Sequence, residues 1–117
     1  MLKLSQKEII NILYQIRNGY CKENYLEYEE DLRGECYNVS DFAQEILCLK
    51  YDIKIDMIKG RCYGCEHYWL EYENYIIDLS IKQFESIAKK ALPYIYLEEI
   101  QKSKHHLKEC YVKSWCP

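Results

Sequence analysis

Cys36, His67 and Asp78 are the side-chain types that thiol-dependent acyl transfer needs, carried on three separate stretches of this chain. Such chemistry uses a thiolate as nucleophile, an imidazole to hold and return a proton, and a third group to orient that imidazole. The stretch from Glu66 to Ser80 reads as two short strands around a turn at Glu73-Asn74. Side chains alternate across a strand, so His67, Trp69 and Glu71 share one face, and Tyr68, Leu70 and Tyr72 the other. With a two-residue turn, Trp69 lies opposite Asp78 and His67 opposite Ser80. His67 and Asp78 are then diagonal neighbours on one face, with Cβ atoms roughly 7 Å apart. A three-residue loop would move Asp78 to the other face, because a one-residue slip inverts the pattern.

The thiol needs its own support. From Gly34 a second helix is predicted, with Val39, Phe42, Ala43, Ile46 and Leu47 at the i, i+3, i+4, i+7, i+8 spacing of a packed face. Cys36 lies in the first turn of that helix, where the dipole and free amide N–H groups favour thiolate. The apolar stripe is expected to press the Cys36 end against the sheet face bearing His67. Gly34 would allow close approach of a substrate, Trp69 would wall the site, and Glu71 would either lie at the surface or bind a substrate amine. Taken singly, each of the three has a plain structural role: a strand histidine, a strand-end carboxylate, a buried thiol. Their convergence is what points to chemistry.

The totals narrow the function classes. At 117 residues the chain is expected to form one domain with a modest core. A formal charge of −3 argues against nonspecific nucleic-acid binding, which uses a basic face. No apolar run reaches membrane-spanning length, and the N-terminus lacks a signal-peptide core, so a protein made in the cytoplasm without a membrane partner is expected, with delivery to another cell as an effector left open. Seven cysteines are an odd number. In a reducing compartment they are expected as thiols, at least one of them available for chemistry. No oxygen-rich metal loop appears, so neither calcium nor another cofactor is implied.

The remaining elements must position these groups. Ser5 to Glu8 is a capping box with Leu4 and Ile9 as its staple, and Ile9, Ile12, Leu13 and Ile16 form a helical stripe. Arg17 suits the C-terminal dipole of that helix, and Gly19 is expected to close it. The acidic stretch 20–34 reads as a solvated loop or as a cleft wall. Ile53, Ile55 and Met57 alternate with Lys54, Asp56 and Lys59 as a half-buried strand, followed by a turn from Gly60 to Glu66. Ser80 would cap a helix carrying Ile81, Phe84, Ile87, Ala88 and Ala91, stopped by Pro93. A strand is expected at Tyr94–Leu97, then a charged helical piece around Glu98–Lys104, and a strand at Tyr111–Trp115. The plan is α+β: a Cys-bearing helix packed on a small antiparallel β-sheet.

Gly34-Glu35-Cys36 opening an amphipathic helix, His67-Tyr68-Trp69-Leu70-Glu71, and Ile77-Asp78-Leu79-Ser80 together resemble the core of transglutaminase-like proteins. These belong to the papain-like cysteine peptidase superfamily. The resemblance covers about residues 34 to 84. It implies a papain-like or transglutaminase-like core, a Cys-His-Asp triad, and a protein or peptide substrate. Proteolysis, glutamine deamidation and transamidation are all open. The chain departs from papain-type enzymes at Glu30, where they carry an oxyanion-hole glutamine six residues before the cysteine.

Two other readings compete. Cys62-x-x-Cys65 with His67 offers three zinc ligands, and Cys110, Cys116, His105 or His106 would supply a fourth. Otherwise His105-His106 reads as a solvated surface pair. The second competitor is a catalytically inactive module of the same fold that binds a peptide.

Overall fold

The computed structural model describes residues 4–114, and within them the chain is α+β. Helix α1 spans Gln6–Glu23 and begins with the expected capping box, Ser5 and Glu8 each bonding the other's backbone N–H. It does not close at Gly19. Tyr20 and Cys21 continue the buried stripe of Ile9, Leu13 and Ile16, and Asn24 caps the end. The acidic stretch expected as loop therefore starts four residues later than expected. Helix α2 spans Cys36–Tyr51 and ends where Asp52 turns left-handed at φ 54.

Five strands follow: β1 Asp56–Cys62, β2 Cys65–Tyr72, β3 Tyr75–Asp78, β4 Tyr96–Glu99 and β5 His106–Ser114. Between β3 and β4 lie a short 3₁₀ turn, Ile81–Phe84, and a single-turn helix, α3, Glu85–Ala88. The longer helix expected there breaks at Lys89, which is left-handed at φ 57. The strand expected at Tyr94–Leu97 lies two residues further on. Glu98 and Glu99 belong to it, and only Ile100–Lys102 is helical, as a 3₁₀ turn. The last strand begins at His106, well before Tyr111. Trp115, its expected end, lies outside the described residues.

The sheet is antiparallel with order β4-β3-β2-β1-β5, so four strands meander and the fifth returns beside β1. Gly60 to Glu66 is not an open turn. Cys62 pairs with Cys65, and Tyr63-Gly64 form a two-residue hairpin with both φ values positive, 51 and 80.

Alternation divides the sheet into two faces. Met57, Leu70, Tyr72 and Ile77 join the stripes of α1 (Ile9, Leu13, Ile16) and α2 (Val39, Ala43, Leu47) in the main core. Ile58, Trp69 and Ile76 form a separate cluster on the opposite face, covered by Tyr96 and Ile100. Edge strands β4 and β5 would stand roughly 19 Å apart in a flat sheet at the usual strand spacing. Yet the rings of Tyr96 on β4 and His106 on β5 stack with centroids 5.0 Å apart. The sheet is therefore strongly curled, helices outside and Trp69 within the curl. Among the described residues no helix is long and apolar enough to cross a membrane.

One residue ties these layers together. Arg17, read from the sequence as a cation suited to a helix C-terminus, is fully buried. Its guanidinium donates to the carbonyls of Leu79 (3.1 Å), Tyr28 (2.7 Å) and Glu30 (2.6 Å). It thus fixes the chain just past Asp78 and the loop leading to Cys36.

Candidate active site

The hairpin has the even turn on which the constellation depends. Leu70 pairs with Ile77, Glu71 with Ile76 and Tyr72 with Tyr75, leaving Glu73-Asn74 as a two-residue turn. His67 and Asp78 consequently share a face, and His67 Nε2–H donates to Asp78 Oδ2 at 2.8 Å. Both side chains are buried. The second carboxylate oxygen accepts from the Ser80 N–H at 2.9 Å.

Cys36 reaches His67 by a route the sequence did not suggest. The α2 stripe packs on the face bearing Leu70 and Tyr72, not on the face bearing His67. The expected shared face is therefore wrong, because Val39, Ala43 and Leu47 need the apolar side of the sheet. The thiol meets the imidazole where β3 peels away from β2. Continuing the register would place Leu79 opposite Tyr68, but β3 ends at Asp78. The Tyr68 N–H faces the Cys36 sulfur instead, as does the N–H of Tyr37.

The electrostatics follow from this placement. Burial pushes the Cys36 thiol up. The nearby His67 imidazole and the two N–H groups more than offset it, leaving the thiol below its ordinary value. Burial alone would lower His67, but Asp78 and then Cys36 raise it to about 9. Burial would raise Asp78, but His67 and His106 hold it well below the usual carboxylate range. The shifts run toward thiolate at Cys36, imidazolium at His67 and carboxylate at Asp78. With Nε2 given to Asp78, Nδ1 is the ring nitrogen left toward the thiol, buried and without a hydrogen-bond partner of its own.

The other expected site residues fare differently. Gly34 stands ahead of Cys36 at φ 82, with open space where a Cβ would be, so its conformation and not crowding calls for glycine. Trp69 is 0% exposed, which corrects its expected role as a cleft wall. Its ring lies edge-on to His106, centroids 4.9 Å apart, and backs the imidazoles from inside the curl. Gly60 makes room for it: a Cβ there would lie 2.6 Å from the Trp69 ring and 2.2 Å from the Leu107 carbonyl oxygen. Glu71 is partly exposed and pairs with Lys108 at 3.4 Å. Glu30 turns its side chain to solvent and contributes its carbonyl to Arg17. A hollow of about 300 Å³ lined by Tyr14, Gln15, Asn18 and Tyr28 touches none of the three central residues.

The contact missed is that of His106 with Asp78; from the sequence, His106 is only a candidate fourth zinc ligand or else half of a surface pair. It is 8% exposed and not a solvated surface residue, whereas His105 is exposed and stacks on Tyr63. His106 Nε2–H donates to Asp78 Oδ2 at 2.8 Å, the same oxygen that His67 uses. Cys62 Sγ lies 3.7 Å from that nitrogen. Cys62, Asp78 and His106 place one ligand atom each within 4.8 Å of one another, the group of described residues best placed to hold a metal ion. Cys65 and His67, the expected zinc partners of Cys62, are not in that group. Cys110 is exposed, and Cys116 lies outside the described residues.

In comparisons with known proteins, no family model, curated protein or solved structure matches the chain.

Proposed function

We propose that the protein is a thiol-dependent acyl-transfer enzyme acting on amide bonds of a protein or peptide, with Cys36, His67 and Asp78 as its triad. One observation carries this reading: a buried imidazole paired to a carboxylate stands beside a half-buried thiol at a helix N-terminus, and its influence on that thiol is to lower its pKa. The resemblance to transglutaminase-like cysteine enzymes rests on these same residues. In this reading the Cys36 thiolate attacks the amide carbonyl carbon, forming an S–C bond and moving the π electrons to oxygen. The His67 imidazolium gives its proton to the leaving nitrogen as the C–N bond breaks, leaving a thioester. Water, or an amine, then gives a proton to His67 and attacks the thioester carbon. The thiolate leaves, and the ion pair is restored. Asp78 holds the imidazole orientation and stabilises its charged form throughout. Water on a peptide bond gives proteolysis, water on a glutamine side chain gives deamidation, and an amine gives transamidation. Hydrolysis or deamidation is the preferred outcome.

The test is mass spectrometry of a protein-derived peptide mixture incubated with the full chain or its Cys36→Ala variant. New termini, glutamine-to-glutamate conversions or amine adducts that require Cys36 support the reading. The same changes persisting in Cys36→Ala, or iodoacetamide labelling Cys36 no faster than the exposed Cys110, contradict it.

The Cys62-Asp78-His106 group favours a second reading, a zinc-binding module. Zinc copurifying at one equivalent and lost in Cys62→Ser would support it. In that case Asp78 would serve the ion and not His67.

A further inference from the structure

We propose that His106 is a positioning residue for the thiol site, holding Asp78 in place by donating a hydrogen bond to the carboxylate oxygen that receives His67. The inference rests on the thiol-site reading above and extends it to a residue outside the triad. Asp78 is 1% exposed, and burying an anion is costly unless its oxygens are bonded. His67 satisfies part of that need through its Nε2–H, but the ring loses its positive charge when the Nδ1 proton moves during acyl transfer. A second donor that takes no part in the reaction would keep the carboxylate bonded and aimed while His67 changes state.

The surroundings of His106 suit such a fixed donor. Nε2 is on Asp78, and Nδ1 meets the Ser103 hydroxyl at 2.8 Å, so both ring nitrogens are tied. Tyr96 stacks on one side of the ring and Trp69 stands edge-on, with centroids at 5.0 and 4.9 Å. These partners come from β2, β4 and the turn before β5, so rotating the ring away from Asp78 would disturb all three. His106 touches neither Cys36 nor a substrate position, and it acts through Asp78 and His67. The chain of influence runs from the Ser103 hydroxyl through two imidazoles and one carboxylate to the Cys36 sulfur.

The test is the pH dependence of iodoacetamide alkylation at Cys36, followed by peptide mapping, in the full chain. His106→Leu removes the donor and is expected to move the acid limb upward by about one pH unit, about a tenfold loss of thiolate at a fixed lower pH. His106→Gln retains an N–H donor of similar reach and should restore most of the wild-type profile. A merely structural role would lower the unfolding midpoint in both variants without moving the limb. If His106→Leu does not fold, Ser103→Ala, which frees Nδ1, is expected to move the limb in the same direction by a smaller amount. Profiles of His106→Leu, or failing that of Ser103→Ala, superimposing on wild type would overturn the inference. If Cys36 is not the fast-reacting thiol in the wild-type chain, the underlying triad reading fails instead.

Discussion

Two thiols flank the same buried carboxylate system and have opposite character. Cys36, at the start of α2, is half-buried, faces the His67 imidazole and two backbone N–H groups, and has its pKa lowered. Cys62, at the end of β1, is fully buried, and its pKa is raised by burial, then by the charge of Asp78. Each lies beside a histidine. What differs is whether the nearest charge is the imidazolium or the carboxylate, and how many N–H groups point at the sulfur. Burial by itself would make both inert. The direction of each shift follows the end of the Asp78–His67 pair that the sulfur meets.

Four perturbations probe that contrast. Asp78→Asn keeps the shape but removes the charge that makes the two thiols differ, and Cys36-dependent turnover should fall on the order of 10²–10⁴-fold, read as kcat. Gly60→Ala attacks the support beneath both histidines. Its Cβ would meet the Leu107 backbone carbonyl at 2.2 Å, and the strain should cost about 1–3 kcal/mol in urea unfolding.

Changing pH titrates the pair directly. His67 is raised in the folded state, so the stability it contributes is complete below its ordinary 6.5 and is lost as pH rises through about 9. Asp78 is lowered, so its contribution is present above 3.8 and is lost as pH falls below that range. Urea midpoints measured across these windows should decline on both sides, and Asp78→Asn should flatten the alkaline decline. The smallest effect belongs to Cys62→Ser, which should leave Cys36 alkylation within about twofold of wild type, since the two sulfurs act on opposite ends of the pair.

Parts of this arrangement were legible in the sequence because they are local. The alternation from His67 to Tyr72, the even turn at Glu73-Asn74 and the apolar spacing after Cys36 depend on neighbours a few residues apart. His106 was not legible. It opens an edge strand whose following residues, Leu107 to Tyr111, are all exposed, so no alternation marks it. Only the return of β5 beside β1, with register shifts on either side of Ile58-Lys59, brings it to Asp78. Gly60 read as a turn because nothing local shows that Trp69 crosses above it. Arg17 read as a helix-end cation because its three carbonyl partners lie 11 to 62 residues away. The helix-covered face was misassigned for a related reason. Both sheet faces carry large side chains, and the curl that encloses Trp69 is a property of the whole sheet.

The central claim is that Cys36 is held as a thiolate by the His67–Asp78 pair, and its most direct test is a difference titration. Ultraviolet thiolate absorbance of the wild-type chain, minus that of Cys36→Ala, isolates the one sulfur across pH. A thiolate that persists well below 9.0, the ordinary cysteine value, and that Asp78→Asn weakens, is the predicted result. A difference signal that appears only at or above that value, unchanged by Asp78→Asn, would contradict the account.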